Sequence, residues 1–447
     1  MNRLARYIWT PLFLFLATTS QAKKNEPLYG TTDYIATLKK VTDIMVNDVT
    51  SPVAASRYYA YITMAASEVQ ALFNPGKVIT FRGRLQGFTG ISSQINVNVC
   101  NEAFAVVYMV AKMGEKLLPS GYLLKPVADS MAQNALLKGV PESVADNTKQ
   151  LIQGCIEQLM VYVKADGFTK MANLRRYTPT KGDAWWQPTQ PAFMTPVEPH
   201  WKTLRTFTLD SAQQYKTKPP VVYDTMPASP YMVQLTEVYN IGRAATKEQQ
   251  EQAMFWDCNP FAIQQIGHVQ FGLKKISPGG HWIGITGIAC HQQKVSLQQT
   301  VLSHALVSIA LADAFIACWD EKYRTNRLRP ETAINRLIDP RWHPLLQTPP
   351  FPEYVSGHSV ASMAAATVLT KLFGNHFAFN DDSEVEFDLP VRHYTSFMAA
   401  AEEAAISRLY GGIHYRDAIT EGVWQGKMVG QWVTTTLQNA FASLTKK

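Results

Sequence analysis

The longest apolar stretch of this 447-residue chain repeats with the period of a helix. Its apolar side chains recur every three or four positions: Leu297, Val301, Ala305, Ile309, Ala312 and Ile316. This spacing places them along one face of a helix. Because His304 and Asp313 interrupt the stretch, we expect a buried helix of a water-soluble core and not a membrane span.

The other strong patterns in the chain are also helical. Alanine-rich helical segments cover residues 52–73 and 97–118. Residues 136–163 predict two helices separated by a turn at residues 139–141, and helical periodicity resumes over residues 231–256. Signals for strands are weak, since polar and apolar residues do not alternate cleanly over a useful length. The predicted fold class is all-α, a helical bundle with an additional N-terminal helical region.

Residues 177–230 differ in character from the helical segments on either side. They contain nine prolines and three tryptophans, so we expect an extended, irregular arm that packs against the helices through its aromatic rings. The predicted organisation is an N-terminal helical region over residues 23–176, this arm, and a C-terminal helical catalytic domain over residues 231–447.

The N-terminus has the layout of a secretory signal peptide over residues 1–22. Arg3 and Arg6 form its basic region. Residues 7–17 are apolar but too short to span a bilayer, and residues 20–22 (Ser-Gln-Ala) form a small-x-small cleavage signal. We therefore expect an exported protein, periplasmic or secreted, with no integral membrane span after the signal is removed.

Composition narrows the range of partners. A formal net charge of +7 is mild for this length and forms no basic stripe, so a small-molecule substrate is expected and nucleic acid is not. The five cysteines include no CxxC pair, which argues against a zinc or thioredoxin-type site. The sequence leaves open a single disulfide and the oligomeric state.

Three short motifs in the C-terminal third of the chain gather cations and histidines. In the first, Lys322 and Arg329 are two helical turns apart, and they share one helical face if the helix continues as far as Pro330. A point charge beside a planar guanidinium suits an anion with several oxygens. A solvated basic face is the alternative.

The second motif is Ser356-Gly357-His358, directly before an apolar run over residues 359–373. Ser356 is the predicted N-cap of a helix whose first amides are free to bind an anion, and glycine lets that anion approach the backbone closely. His358 would then exchange a proton with a group on the anion. A simple helix cap is the alternative.

The third motif is Ser-Arg-x5-His. Arg408 lies near the end of a predicted helix over residues 395–410, and His414 follows a glycine pair. Asp417 comes three residues later, where its carboxylate is expected to fix the tautomer of His414 and raise the basicity of the other ring nitrogen. Such a histidine suits a phosphoryl nucleophile or a metal ligand, whereas a structural His–Asp pair is the alternative.

In this order the three motifs resemble the tripartite signature of the type 2 phosphatidic acid phosphatase/vanadium-dependent haloperoxidase superfamily. The length and the helical N-terminal region are similar to the larger haloperoxidase-type members. The resemblance implies a helical bundle with an oxyanion pocket among its C-terminal helices. Two positions depart from the usual pattern: Val355 stands where proline is usual before Ser356, and Asp417 follows His414 at a spacing of three instead of four.

The resemblance also implies a role for each residue of the motifs. The oxyanion-binding residues would be Lys322, Arg329, Ser356, Gly357 and Arg408. His358 would be the acid/base histidine, and His414 would be bonded to the central atom of the oxyanion.

The superfamily offers two reactions. In a haloperoxidase the cofactor is vanadate, His414 is its axial ligand, Lys322 polarises the bound peroxide and a halide is oxidised. In an acid phosphatase no cofactor is needed, His414 forms a phospho-histidine intermediate and His358 protonates the leaving oxygen. A third hypothesis is a non-catalytic oxyanion-binding protein, against which the two intact histidines argue.

The chain length and two aromatic residues favour the haloperoxidase. Trp319 and Phe351 fall where chloride-oxidising members of the superfamily have halide-site aromatics, although ordinary core packing is the alternative. Two other features have ordinary interpretations. His281, after a predicted turn at residues 278–280, is expected to stack on a tryptophan, and the acidic residues between 381 and 386 predict a solvated loop without EF-hand spacing.

Overall fold

The computed structural model describes residues 28–190, 193–266 and 269–440. The predicted signal peptide lies outside these residues. Within them the prediction of an all-α fold is confirmed: the helices are accompanied by four short strands that pair as two antiparallel hairpins.

Six helices precede the arm and eight follow it within the described residues. The first six are α1 (Thr31–Asn47), α2 (Pro52–Phe73), α3 (Glu102–Leu117), α4 (Lys125–Leu137), α5 (Glu142–Lys164) and α6 (Phe168–Met171). The next four are α7 (Pro230–Ala244), α8 (Lys247–Phe255), α9 (Pro278–Gln292) and α10 (Leu297–Thr325). The last four are α11 (Pro330–Leu337), α12 (Gly357–Phe373), α13 (Phe397–Tyr410) and α14 (Arg416–Thr436). The hairpins are β1 (Ile263–Ile266) with β2 (Val269–Gly272), and β3 (Phe379–Asp381) with β4 (Arg392–Tyr394).

Helix α10 is the centre of the fold. Every residue from 300 to 322 is buried, and the helix packs against α2, α9, α12 and α14. Ser296 begins it with a capping box, in which its hydroxyl accepts a hydrogen bond from the backbone N–H of Gln299 at 3.2 Å. Among the described residues this is the one helix long and apolar enough to cross a membrane, but its most apolar window is entirely buried, as predicted for a core helix.

Two differences between the predicted and observed helices concern segments close to the site. Residues 278–280, predicted as a turn, form the first turn of α9, because proline suits the first helical position and Ser277 caps the N–H of Gly280 at 3.1 Å. The sequence analysis placed Lys322 and Arg329 on one helical face on the condition that the helix continues to Pro330. It ends at Thr325 instead, and Pro330 begins α11.

Helices α12 and α14 cross at very short range, and this crossing positions the second motif. Gly422, Gly426 and Gly430 form a stripe along α14 with a spacing of four residues. A Cβ atom added at Gly426 would lie 2.2 Å from the carbonyl oxygen of Val360 in α12, so only glycine permits this approach. The first turn of α12 is thereby held against the segment that precedes α14.

The arm lies against α10 and is fixed there by Asp313. This buried carboxylate accepts hydrogen bonds from the backbone N–H groups of residues 207–209 at 2.7–3.2 Å and from the hydroxyl of Thr208 at 2.7 Å. Trp186 and Trp201 of the arm are buried. One apolar core contains residues from all three predicted regions, so the core does not mark where one region ends and the next begins. The boundaries of the regions therefore stay a prediction.

Candidate active site

The three sequence motifs converge on one buried pocket. Its wall includes Gly357, His358, Arg408 and His414, and the rings of Trp319 and Phe351. The remaining residues predicted to bind the oxyanion are fully buried beside it: Lys322, Arg329 and Ser356. Residues up to 95 positions apart in the sequence therefore contribute to one site, which is the arrangement that the order of the motifs predicts.

Lys322 and Arg329 reach the site from two different helices. Lys322 lies in the last turn of α10, which Asn326 ends by adopting a left-handed conformation with φ 49°. Arg329 is the N-cap residue of α11. The condition for a shared helical face is therefore not met, and a short turn between α10 and α11 brings the two cations together instead.

Ser356 is the N-cap of α12, as predicted. Its hydroxyl accepts a hydrogen bond from the backbone N–H of Ser359 at 3.3 Å. Gly357 and His358 occupy the first turn, where backbone N–H groups have no partner within the helix. A Cβ atom at Gly357 would lie 3.7 Å from the Trp319 ring, so the absence of a side chain there leaves space beside the helix terminus.

Lys322 is a buried cation whose protons point to the backbone. Its ammonium group donates to the carbonyl oxygens of Pro352 at 3.1 Å and Glu353 at 3.0 Å, and also to that of Val355. Burial lowers the pKa of Lys322 to about 7. In this geometry Lys322 stabilises the loop before α12 through these hydrogen bonds, and its ammonium group adds positive charge close to the pocket.

Arg329 has one guanidinium donor that is unpaired within the described part of the chain. Its Nε donates to the carbonyl of Phe351 and its Nη1 to the carbonyl of Ile413, both at 2.9 Å. Its Nη2 is buried and has no hydrogen-bond partner among the described residues. A buried, unpaired guanidinium N–H is costly and is suited to an anionic ligand.

Arg408 contributes the second guanidinium group. Its Nε donates to the hydroxyl of Ser407 and its Nη2 to the carbonyl of Ala253, both at 3.1 Å. These two bonds fix the plane of the guanidinium group in the pocket wall. Burial lowers the pKa of Arg408, as expected for a cation removed from water.

His414 is oriented by Glu353, a residue that the sequence analysis did not identify. The Glu353 carboxylate lies 2.8 Å from Nδ1 of His414 and also accepts the backbone N–H of Tyr415 at 3.0 Å. We therefore assign the imidazole proton to Nδ1. Nε2 keeps its lone pair and lies 3.2 Å from Nη1 of Arg329.

Burial, followed by the nearby cation of Arg329, lowers the pKa of His414 well below its ordinary value. The imidazole is thus neutral at neutral pH, and its Nε2 lone pair accepts a hydrogen bond from Nη1 of Arg329. A neutral imidazole held by a carboxylate is the usual state of a histidine that ligates a metal or attacks phosphorus.

Asp417 does not orient His414, and this predicted role is wrong. The carboxylate of Asp417 pairs with Arg327 at 2.6 Å and accepts the backbone N–H of Val221 at 3.0 Å. Asp417 lies in the first turn of α14, whereas His414 precedes that helix, so the two side chains diverge. Arg327 also approaches Glu353 at 3.4 Å and so connects the two carboxylates.

His358 is the second histidine of the pocket, and its Nε2 atom is free. That atom is buried without a hydrogen-bond partner among the described residues. Burial and the charge of Arg408 lower the pKa of His358 well below its ordinary value. A neutral imidazole with an unpaired nitrogen can accept a proton from a ligand in the pocket.

Two aromatic rings form the apolar side of the pocket. Trp319 and Phe351 have ring centroids 5.0 Å apart, and the ammonium group of Lys322 lies 5.0 Å from the Phe351 ring. The arm holds the tryptophan in place, because the carbonyl of Val197 accepts its indole N–H at 3.2 Å. The same carbonyl accepts the hydroxyl of Tyr323 at 2.6 Å.

Comparisons with known proteins agree with this geometry. Residues 303–443 match the VCPO second helical-bundle domain. The chain is 39% identical to a solved structure described as the first bacterial vanadium-dependent iodoperoxidase, with a TM-score of 0.85 over 91% of this chain and 97% of the other. The chain belongs to the vanadium-dependent haloperoxidase family. No curated protein matches it.

More distant haloperoxidase structures share the fold. An apo-type bacterial vanadium-dependent chloroperoxidase is 14% identical, with a TM-score of 0.66 over 88% of this chain and 95% of the other. The holo-type structure is also 14% identical, with a TM-score of 0.64 over 88% and 93%. For this haloperoxidase, Glu353 is the main site residue that the sequence analysis missed, and its place three residues before Ser356 was the available signal.

Proposed function

We propose that this protein is a vanadate-dependent haloperoxidase that oxidises iodide with hydrogen peroxide. The observation that carries the proposal is the neutral imidazole of His414, whose Nε2 lone pair lies within a cluster of buried cations. The similarity to a bacterial iodoperoxidase supports iodide as the halide.

The residues present fit a bound vanadate. Arg329 and His358 each have a buried nitrogen without a hydrogen-bond partner among the described residues. A bound oxyanion would accept the N–H of Arg329, and a hydroxyl group on it would donate to the histidine. Gly357 leaves space at the N-terminus of α12, where backbone N–H groups favour anions. His414 would be the ligand of the central atom, and the guanidinium groups of Arg329 and Arg408 would bind its oxygens.

Bound vanadate would act as a Lewis acid that activates peroxide for oxygen transfer to a halide. Glu353 holds the tautomer in which Nε2 of His414 carries no proton, so its lone pair would be available to the central atom in place of its hydrogen bond with Arg329. His358 is neutral near neutral pH and can take a proton from hydrogen peroxide as it enters the pocket. Lys322 and the two arginines lower the cost of concentrating negative charge in a buried site.

The aromatic side of the pocket suits a large, weakly hydrated anion. The ring edges of Trp319 and Phe351 carry partial positive charge, and the rings exclude water. Iodide loses less hydration free energy on entering such a site than chloride does, because hydration weakens with ionic size. We therefore expect iodide to be oxidised faster than bromide, and bromide faster than chloride.

The proposal is tested by assaying the purified protein before and after loading with vanadate. We expect peroxide-dependent iodide oxidation that requires vanadate and that phosphate inhibits by competing for the site. His414→Ala should reduce this rate at least 100-fold at equal protein concentration. Vanadate-independent hydrolysis of p-nitrophenyl phosphate without iodide oxidation would favour the phosphatase, and absence of both activities in folded protein would favour a binding protein.

We also propose that the protein is exported after cleavage of residues 1–22. The support is the basic start, the short apolar stretch and the small-x-small signal in the sequence. Mass spectrometry of protein recovered from the periplasm or medium should give a chain that starts at Lys23. Retention of Met1 on a cytoplasmic product would contradict export.

A further inference from the structure

A second cluster of polar side chains lies beside the active-site pocket, and the halide chemistry does not use it. It consists of Cys258 after α8, His281 in the first turn of α9, and Glu384 between β3 and β4. All three side chains are buried, with exposures of 2%, 0% and 4%. Cys258 also forms part of the pocket wall.

The potential ligand atoms of these residues are arranged around one point. Nδ1 of His281 lies 3.4 Å from Sγ of Cys258 and 3.0 Å from Oε1 of Glu384, and Sγ lies 3.8 Å from Oε1. Zinc–ligand bonds of about 2.0–2.3 Å at tetrahedral angles separate neighbouring ligands by about 3.3–3.6 Å. The three distances observed bracket that interval.

The surroundings of His281 match those of a metal-bound histidine. Its other nitrogen, Nε2, lies 2.8 Å from the carboxylate of Asp381, and the backbone N–H of Ser383 donates to the same carboxylate at 3.1 Å. The imidazole stacks on Trp256 with centroids 4.5 Å apart and planes at 19°. A carboxylate on the distal nitrogen fixes the tautomer of a ligating histidine and raises its basicity.

We propose that Cys258, His281 and Glu384 bind one Zn²⁺ ion, with Asp381 as the carboxylate that orients His281. A thiolate, a neutral imidazole and a carboxylate give three protein ligands, and a water molecule or a group from the pocket completes a tetrahedral site. The charges of Zn²⁺, the thiolate and the Glu384 carboxylate sum to zero, and the remaining negative charge of Asp381 is compensated by hydrogen bonds from His281 and Ser383. The ion would join α8, α9 and the β3–β4 turn next to the pocket.

This site is assembled from residues far apart in the sequence, so the absence of a CxxC motif does not argue against it. The acidic residues between 381 and 386 were predicted to form a solvated loop, but Asp381 and Glu384 are buried. His281 was expected to stack on a tryptophan, and its partner is Trp256. The alternative to a metal site is a metal-free, hydrogen-bonded cluster.

The test is metal binding by the mature protein, which is first treated with a chelator and then loaded with vanadate so that His358 and His414 are occupied. The protein is next titrated with Zn²⁺ or Co²⁺, and bound metal is quantified by mass spectrometry. We expect one ion per chain and a thiolate-to-cobalt charge-transfer band in the Co²⁺ form. Less than 0.2 ion per chain at saturating metal, or no charge-transfer band, would overturn the proposal.

Variants distinguish zinc binding at this site from zinc binding elsewhere on the protein. Cys258→Ser should abolish the charge-transfer band and weaken zinc binding at least tenfold, whereas Cys100→Ser, at a cysteine remote from the cluster, should change neither. If Cys258→Ser does not fold, Glu384→Gln is measured instead, and it should weaken binding tenfold while the band is retained. Unchanged affinity in a folded variant of either residue would contradict the assignment.

Discussion

At the scale of single residues, the carboxylate bonded to His414 decides how that histidine works. Glu353 holds Nδ1 of His414 from 61 positions earlier in the chain, while the nearby Asp417 pairs with Arg327. Sequence proximity favoured Asp417 because residues three or four apart meet on a helix. His414 lies outside the helix, so that rule does not apply, and the correct partner depends on a loop whose path local sequence does not determine.

Replacing each carboxylate by its amide distinguishes these two roles. Glu353→Gln removes the charge that fixes the His414 tautomer, and we expect vanadate affinity to fall 10- to 100-fold, the range typical of lost partners of ligating histidines. Asp417→Asn should change the affinity less than threefold. The measurement is the iodide oxidation rate as a function of vanadate concentration, and the opposite ranking of the two variants would contradict the assignment.

At the scale of helices, sequence patterns were most reliable where packing and capping agree. Helix α2 has the predicted bounds, and a capping box at Ser296 begins α10. The error at residues 278–280 has a physical reason: Pro-Gly-Gly is typical of turns, but a serine cap and burial stabilise it as helix. The glycine stripe of α14 was an available signal of close helix packing that the sequence analysis did not use.

The glycines of α14 and α5 give a matched pair of substitutions. Gly426→Ala would place a methyl group 2.2 Å from the Val360 carbonyl, and we expect it to lower the free energy of unfolding by more than 2 kcal/mol, at the upper end of the overpacking range of about 1–3 kcal/mol. The methyl group added by Gly154→Ala would have no atom within 4 Å. This variant should raise the free energy of unfolding by about 1 kcal/mol, because alanine has a higher helix propensity than glycine. Urea unfolding of both variants measures the difference, and equal effects would show that the α12–α14 contact is looser than described.

At the scale of the whole molecule, the sequence predicted the fold class and most of the residues that meet at the site. The motifs identify cations and histidines whose order is informative even without their three-dimensional positions. The sequence did not predict how the buried charged groups are paired. Two examples are Glu353, which bonds to His414, and Asp313, which bonds to the arm. These pairs join segments distant in the sequence, and neither residue type nor spacing specifies them.

Burial of neutral histidines should make the protein less stable in mild acid. Burial lowers the pKa of His304 to about 4. Between about pH 6.5 and pH 4 the unfolded chain therefore binds more protons at this group than the folded chain does. Stability falls as the pH decreases, with a slope that approaches about 1.4 kcal/mol per pH unit.

His304→Gln isolates this contribution, and His376→Gln at an exposed position is the control. Between pH 6.5 and 5.5, the unfolding free energy of the wild type should fall by about 1 kcal/mol relative to His304→Gln. It should stay constant relative to His376→Gln. Denaturant unfolding at each pH measures both differences, and a constant difference for His304→Gln would contradict the neutral, buried state of His304.

The most direct test of the account is the stoichiometry of vanadate binding. Equilibrium dialysis of the purified protein, with vanadium measured by atomic spectrometry, should give one vanadate per chain, and excess phosphate should displace it. Folded His414→Ala should bind at least 100-fold more weakly, since it lacks the nitrogen that ligates the central atom. Absence of saturable binding in the wild type, or equal affinity in His414→Ala, would contradict the account.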